Sequence, residues 1–301
     1  MILPDSYNDI DTGLLFEYKG HRILNLVDCC SPNGNHLPSP VDLLLTDFAS
    51  GASGFPACFS EMFDEKTVED MARDKAAKFA SKIAKHVQEC KPRAWMPFAG
   101  YFVEAAPGDE LVRRLNLKNR PEKVAANLRA RFPGLVTWLP FPGGVFDIGS
   151  AVGEVPERAM AEYEKDAWDF EPFLAPLRES MDFAPLKSTE GVRHYFSWAQ
   201  FGSYNLVLHL IEASDDFSVA LREWFVDFAV AEPVFLSAAP PTRPLLRIRA
   251  RATVLRNTMM RGESWDSLYI GFSARFFSKP NIYHHKFLNH FMNDLPEEPP
   301  F

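Results

Sequence analysis

The residues with the strongest chemical potential in this chain are a carboxylate at a strand end and a glycine-rich loop after a buried strand. Asp28 closes the apolar run Arg22 to Val27 where a Pro/Asn/Gly-rich loop opens. A carboxylate in that position can reach one or two hydrolytic metals, or it can cap its own loop through an Asx-type bond to the following backbone. The Gly51 to Pro56 loop follows the run Val41 to Thr46. Its backbone N–H groups can cradle an anion such as a nucleotide phosphate, or serve as a plain strand-to-helix turn. Asp47, Ser53, Gly54 and Tyr101 are the candidate substrate contacts, because in an α/β sheet the rim at the strand ends is where ligands lie. His284, His285 and His290 do not share a helix face, so their spacing reads as packing or helix surface rather than metal binding. His194, Tyr195 and Trp198 read as packing too. Arg247, Arg249 and Arg251 alternate with apolar residues and give either a solvated outer sheet face or a surface for an anionic partner.

These groups need a scaffold. Leu14 to Tyr18 and Arg22 to Val27, joined by Lys19-Gly20-His21, have the spacing of a hairpin. Val41 to Thr46 is almost continuously apolar, as in a strand covered on both faces. Val68, Ala72, Ala76, Phe79, Ile83 and Val87 recur at helical spacing, and Lys75, Lys78, Lys82 and Lys85 form an opposite stripe that reads as a solvated face. Further on, the pattern predicts a strand over 95–102, a short helix over 109–115, a helix over 122–132 after Pro121, and a strand over 136–139. A boundary is expected between Gly149 and Glu162, dividing the chain into 1–150 and 151–301. Beyond it, strands are expected over 205–211, 225–230 and 246–254, then helices over 265–277 and 282–292, the last opened by Pro280.

Composition narrows the function classes. The 301 residues are 47% hydrophobic and 24% charged, within the range of an ordinary globular protein. A formal net charge of −8 argues against a broad nucleic-acid surface, which needs clustered Lys and Arg. No run approaches the roughly 18 apolar residues of a membrane span, and a cytoplasmic protein with no membrane partner is expected. The four cysteines, Cys29, Cys30, Cys58 and Cys90, include no Cys-x-x-Cys or Cys-x-His pair. Neither a disulfide framework nor a cysteine-built zinc or iron–sulfur site is legible.

An ordered set of segments carries a resemblance. It runs through Glu17-Tyr18-Lys19-Gly20-His21, Val27-Asp28-Cys29 and Pro32-Asn33-Gly34, then Asp47-Phe48 and Gly51-Ala52-Ser53-Gly54-Phe55-Pro56. It continues through Pro97-Phe98-Ala99-Gly100-Tyr101-Phe102, Lys118-Asn119, Thr137-Trp138, Trp168-Asp169-Phe170-Glu171-Pro172, Trp265-Asp266, Leu268-Tyr269-Ile270-Gly271-Phe272 and Ile282-Tyr283-His284-His285. Together these resemble the C-terminal part of the CMP-N-acetylneuraminate hydroxylase family, which joins a Rieske iron–sulfur domain to a metallo-β-lactamase-like domain. The resemblance implies an α/β fold: the second half of a metallo-β-lactamase-like αββα sandwich over 1–150, followed by an α+β region. It implies Asp28 as a metal ligand. It also implies a complete relative that is an oxidoreductase, hydroxylating the N-acetyl group of CMP-sialic acid with electrons from a cytochrome b5-like donor through the Rieske cluster.

The chain departs from that pattern. The two-Cys, two-His Rieske motif and a His-x-His-x-Asp-His metal motif do not occur in it, Tyr7 stands where a histidine ligand is expected, and Ala99 stands where many metallo-β-lactamase-like proteins place their last histidine. The expectation is therefore an inactive fragment, or a subunit that needs an N-terminal, Rieske-bearing partner and binds no cofactor by itself. Two other classes remain open from sequence: a metallo-β-lactamase-like metal-dependent hydrolase and a nucleotide-sugar-binding module.

Overall fold

The computed structural model describes residues 1–6, 11–27, 29, 31–50, 54–99, 102–154, 171–293 and 295–301. Chain contacts divide it into two compact units: Met1–Gly51, Ala72–Phe102 and Leu117–Asp166 form the first, and Ala52–Met71, Val103–Asn116 and Ala167–Phe301 form the second. The content is mixed α and β, with strands organised into separate sheets. Among the described residues no helix is long and apolar enough to cross a membrane.

The first unit is built on a sheet in the order β1 (Ile2–Pro4), β2 (Thr12–Tyr18), β3 (His21–Asn25), β4 (Leu43–Thr46), β5 (Ala94–Pro97), β6 (Val136–Thr137). The β2–β3 hairpin turns on two residues, Lys19 and Gly20, both at positive φ. That geometry matches the twist of the strands it joins, so His21 belongs to β3 rather than to the turn. From β3 to β6 the pairing is parallel. All four residues of β4 are buried, which is why its sequence is apolar without alternation.

Helix α1 (Glu65–Cys90) begins where Asp64 accepts a hydrogen bond from the Thr67 N–H at 2.8 Å, a bond that also holds the Asp64 carboxyl below its ordinary pKa. The predicted 95–102 strand stops at Pro97: Pro97 has no N–H to extend the ladder, and Ala99 takes a positive φ. After α2 (Glu110–Leu115), α3 (Pro121–Arg131) starts with proline in its first turn, where the missing N–H costs nothing. Leu15, Leu24, Leu44 and Trp95 form the helix-side core with Ile83 and Val87 of α1 and Val124 and Leu128 of α3. The opposite face has a smaller cluster of Leu43, Leu45 and Ala94, packed by Phe146 of β7 (Val145–Asp147) and by Ile148; β7 pairs with β8 (Val152–Glu154). Of the lysine stripe of α1, Lys78 and Lys85 are solvated and pair with Asp74 and Glu89 one turn away, whereas Lys75 and Lys82 are half-buried.

In the second unit the sheet order is β11 (Val234–Leu236), β10 (Ala220–Asp227), β9 (Val207–Ala213), β12 (Leu245–Arg251), β13 (Ala274–Lys279). Three expectations are corrected here. The alternation read as a strand to Val254 ends at Arg251, and Ala252 begins α6 (Ala252–Arg261), whose apolar residues 254, 255 and 259 face inward. The helix expected over 265–277 is instead a short α7 (Asp266–Ile270) followed by β13, in which Ala274, Phe276 and Ser278 are buried and their neighbours are not. The final helix, α8 (His285–Asn293), starts later than Pro280 suggests. Two helices had no sequence prediction: α4 (Glu171–Arg178) and α5 (Thr189–Trp198).

An aromatic core ties α5 to α8. Trp265 stacks on Phe291 with ring centroids 3.8 Å apart and donates its indole N–H to the Tyr195 hydroxyl at 2.6 Å. His194, Tyr195, Trp198 and His290 all serve packing: His194 contacts the Pro300 carbonyl, Trp198 donates to the Glu298 carbonyl, and His290 lies against Phe201. Close backbone approach in α5 yields a prediction. A Cβ on Gly191 would lie 1.7 Å from the Pro185 carbonyl oxygen, and a backbone carbonyl has little room to retreat. Gly191→Ala is expected to lower stability by about 1–3 kcal/mol in urea titrations, the cost typical of overpacking.

Candidate functional site

The C-terminal ends of the parallel strands β3, β4 and β5 are where a ligand site in an α/β sheet is expected. The sequence candidates belong to these loops in order. Asp28 follows β3, Asp47, Ser53 and Gly54 follow β4, and Tyr101 follows β5. Asp28, Ser53, Tyr101 and Tyr7 lie outside the described residues, as do Cys30 and the Trp168-Asp169-Phe170 segment. Asp47 and Gly54 are described, and they fall in different units.

Asp47 is half-buried and forms an ion pair with Lys82 of α1 at 3.9 Å, while the Lys82 ammonium also lies 4.3 Å from the Phe79 ring centroid. This ties the β4 loop to α1, a bracing role that the carboxylate performs without any ligand. Gly54 has φ of +64°, and a Cβ there would stand 2.9 Å from the Tyr269 carbonyl oxygen. Its carbonyl accepts the Cys58 N–H at 2.7 Å. Gly54 is thus required for the path of the chain in the second unit.

Sequence reading missed a buried carboxylate in the first unit. Asp5 is fully buried; its Oδ1 accepts the Ser31 N–H at 3.0 Å, and Asp5 bridges to Pro32. It thereby fastens the start of the sheet to the loop that follows β3. His86 is a second omission. This α1 histidine is 2% exposed, its Nδ1 is buried without a hydrogen-bond partner, and burial, aided by the positive charges of Lys82 and Lys85, lowers its pKa to about 4. Only its helical register, in line with Ile83 and Val87, hinted at this.

The arginine ladder of β12 is not the solvated face its alternation suggests. Arg247 pairs with Glu61, and Arg249 donates to the Phe217 carbonyl. Arg251 is fully buried, 3.0 Å from Asp109 and 2.8 Å from the Pro107 carbonyl, and Arg275 of β13 binds the same carboxylate. The Arg251 and Arg275 guanidiniums clamp the 107–109 segment, while the buried Nε of Arg249 has no hydrogen-bond partner among the described residues.

Among the described residues, no group of three or more His, Cys, Asp or Glu side chains is placed to hold a metal ion. The described cysteines sit apart in the chain: Cys29 after β3, Cys58 in a short 3-10 turn, Cys90 at the end of α1. Burial pushes the Cys58 and Cys90 thiols up to about 12, so both stay protonated and are poor ligands. The described residues do not fit a two-iron cluster, which needs thiolates and imidazoles converging on one point.

No family model and no solved structure matches the chain. Among curated proteins it is 39% identical, along its entire length, to the cytidine monophosphate-N-acetylneuraminic acid hydroxylase of Sus scrofa, covering 71% of that protein. Identity is also 39% along the entire chain to the hydroxylase of Macaca mulatta, covering 52% of it, and to the human protein named inactive cytidine monophosphate-N-acetylneuraminic acid hydroxylase, covering 62%. The chain therefore spans between about half and seven tenths of the relatives it matches. These names do not favour the hydrolase or the simple binding module. With 39% identity sustained over all of its residues and over more than two thirds of the pig protein, this chain belongs to the cytidine monophosphate-N-acetylneuraminic acid hydroxylase family.

Proposed function

We propose that this chain is the scaffold and substrate-side portion of a CMP-N-acetylneuraminic acid hydroxylase, and that its residues do not assemble the iron centres of the reaction by themselves. The observation that carries the proposal is the full-length identity to the hydroxylases. The second clause is supported by the absence of any His-x-His-x-Asp-His run from the 301 residues. In the complete assembly, oxidation of the N-acetyl group would draw electrons from a cytochrome b5-like donor through a Rieske cluster. The residues of this chain would bind and orient the nucleotide sugar, with Ser53, Gly54 and Tyr101 as proposed contacts and Asp28 as a proposed ligand contributed to a shared metal.

We further propose that the six-stranded sheet of the first unit is one layer of a metallo-β-lactamase-like sandwich. Its parallel strands flanked by α1 and α3 on one face agree with such a layer. The setting proposed is the cytoplasm.

The test is co-expression of this chain with the remaining segment of the pig relative, followed by assay with CMP-N-acetylneuraminic acid, a reductant and oxygen. Hydroxylated product from the pair, with none from either partner alone, is the expected result. A pair that binds iron yet leaves the nucleotide sugar unchanged would refute the assignment.

A further inference from the structure

We infer that a cleft in the second unit, between the residues leading into β9 and the 283–287 segment at the start of α8, binds a pyrimidine nucleoside monophosphate whose base carries an amino group. The cleft has a volume of about 280 Å³, and its walls include Tyr204, Leu206, Tyr283, His284, Lys286 and Phe287. Leu206 and Phe287 are buried and give it an apolar floor, while Tyr283 and Lys286 are exposed. Tyr204 packs edge-on against Phe287 with ring centroids 5.4 Å apart, and its hydroxyl reaches the Lys286 carbonyl at 3.5 Å. Tyr283 stands edge-on to His285 with centroids 5.9 Å apart. Tyrosine rings braced in this way at a cleft offer stacking surface to a flat ring.

His284 sets the hydrogen-bonding preference. Its Nε2 lies 3.1 Å from the Ser278 hydroxyl, and that hydroxyl lies 2.9 Å from the Pro280 carbonyl oxygen and 3.0 Å from the Ile282 carbonyl oxygen. A hydroxyl has one proton to give and two lone pairs to accept with. With two carbonyls competing for that proton, the Ser278 oxygen accepts from the ring, so Nε2 carries the hydrogen and Nδ1 is left as an acceptor. Burial lowers the His284 pKa from its ordinary value of 6.5, so the ring is neutral at neutral pH. A neutral Nδ1 attracts an exocyclic amine and repels a carbonyl oxygen. Cytosine and adenine present the amine where uracil presents the carbonyl. The small volume, beside the roughly 300 Å³ at which ligand cavities begin, suits the one-ring base.

Lys286 supplies the charge. Its ammonium is exposed and forms no ion pair among the described residues. A flexible ammonium beside a stacked base is placed to meet a phosphate. Taking cytidine monophosphate, free or within its sugar conjugate, as the occupant rests on the hydroxylase reading above; the preference for an amino-bearing base does not.

The experiment is calorimetric titration of the purified chain at neutral pH with CMP, CMP-N-acetylneuraminic acid, cytidine, UMP and AMP. CMP is expected to bind about tenfold tighter than UMP, and tighter than AMP. Lys286→Ala should weaken CMP about fivefold and leave cytidine within about twofold. His284→Phe should erase the preference for CMP over UMP, and Arg261→Ala, on an exposed residue elsewhere in the unit, should change nothing. Urea midpoints equal to that of the unaltered chain establish that the variants are folded. Either order of affinity between CMP and its sugar conjugate supports the site and tells whether substrate or released nucleotide is its occupant. No heat with CMP, equal affinities for CMP and UMP, tighter binding of AMP, or full CMP affinity in Lys286→Ala would each overturn the inference. Failure of the site and failure of the hydroxylase reading are distinguishable. Selective CMP binding by a chain whose co-expressed pair makes no hydroxylated product sinks the reading alone, and product formed by the His284→Phe pair with an unaltered KM for the nucleotide sugar sinks the site alone.

Discussion

Replacing Arg256 with methionine is expected to lower the unfolding free energy by about 3–5 kcal/mol, the cost of stranding one partner of a buried ion pair. Arg256 on α6 is 2% exposed and Glu212 on β9 is 1% exposed. The guanidinium meets the carboxylate with both prongs, Nε to Oε1 at 2.7 Å and Nη2 to Oε2 at 2.6 Å, and it also donates to the Met181 carbonyl. This fork geometry fastens α6 to the central strand of the second sheet. Without it, the ion-pair partner left to Glu212 among the described residues is Arg222 at 3.8 Å, and the carboxylate remains out of water. The pair need not be a net gain over apolar packing, so Arg256→Met combined with Glu212→Leu should recover much of the loss. Arg261→Met, which removes an exposed pair with Glu263 at 3.7 Å, should change stability by less than about 0.5 kcal/mol. Equal effects at 256 and 261 would show that the buried pair is not what holds α6.

The second large effect is on acid stability and comes from His86. Its folded pKa, about 4, lies below the ordinary value of 6.5 because burial penalises the charged ring and Lys82 and Lys85 repel it. The sign follows from linkage. Above pH 6.5 the ring is neutral in both states and contributes no pH dependence. As pH falls from 6.5 toward 4 the unfolded chain takes up the proton first, so stability drops, and below about 4 both states are protonated and the loss levels off. The loss over that window is about 3 kcal/mol at most, from 1.36 kcal/mol per pKa unit. His86→Leu should flatten urea-unfolding stability across this window; an unchanged slope in the variant would assign the effect to other groups.

Much of the first unit was readable in advance because its signals are local. The Lys19-Gly20 turn, the apolar β4 and the Pro121 helix start each depend on a few adjacent residues. The second unit failed where two periods overlap. Ala250, Ala252 and Val254 continue a two-residue alternation, yet Ala252, Leu255 and Met259 also fit a helix, and burial of that stripe decided the outcome. The Ala274, Phe276, Ser278 alternation between Gly271 and Pro280 was a strand signal that an aromatic-rich helical reading masked. Arg251 could not be read locally at all, since its carboxylate partner Asp109 lies far away in the chain. Of the site, Asp47 was legible as a loop carboxylate, but its ion pair with Lys82 depends on how α1 packs. Gly54 was legible as a turn, whereas its close approach to Tyr269 was not.

The account rests on the claim that the residues of this chain do not by themselves assemble an iron centre. Purified chain, saturated with ferrous iron or zinc, passed through a desalting column and assayed for metal, measures this directly. The account predicts less than about 0.1 metal ion per chain, because a site without converging deprotonated ligands cannot hold the ion against dilution. One tightly held metal per chain would contradict it, and would place the ligands among residues assigned here to packing.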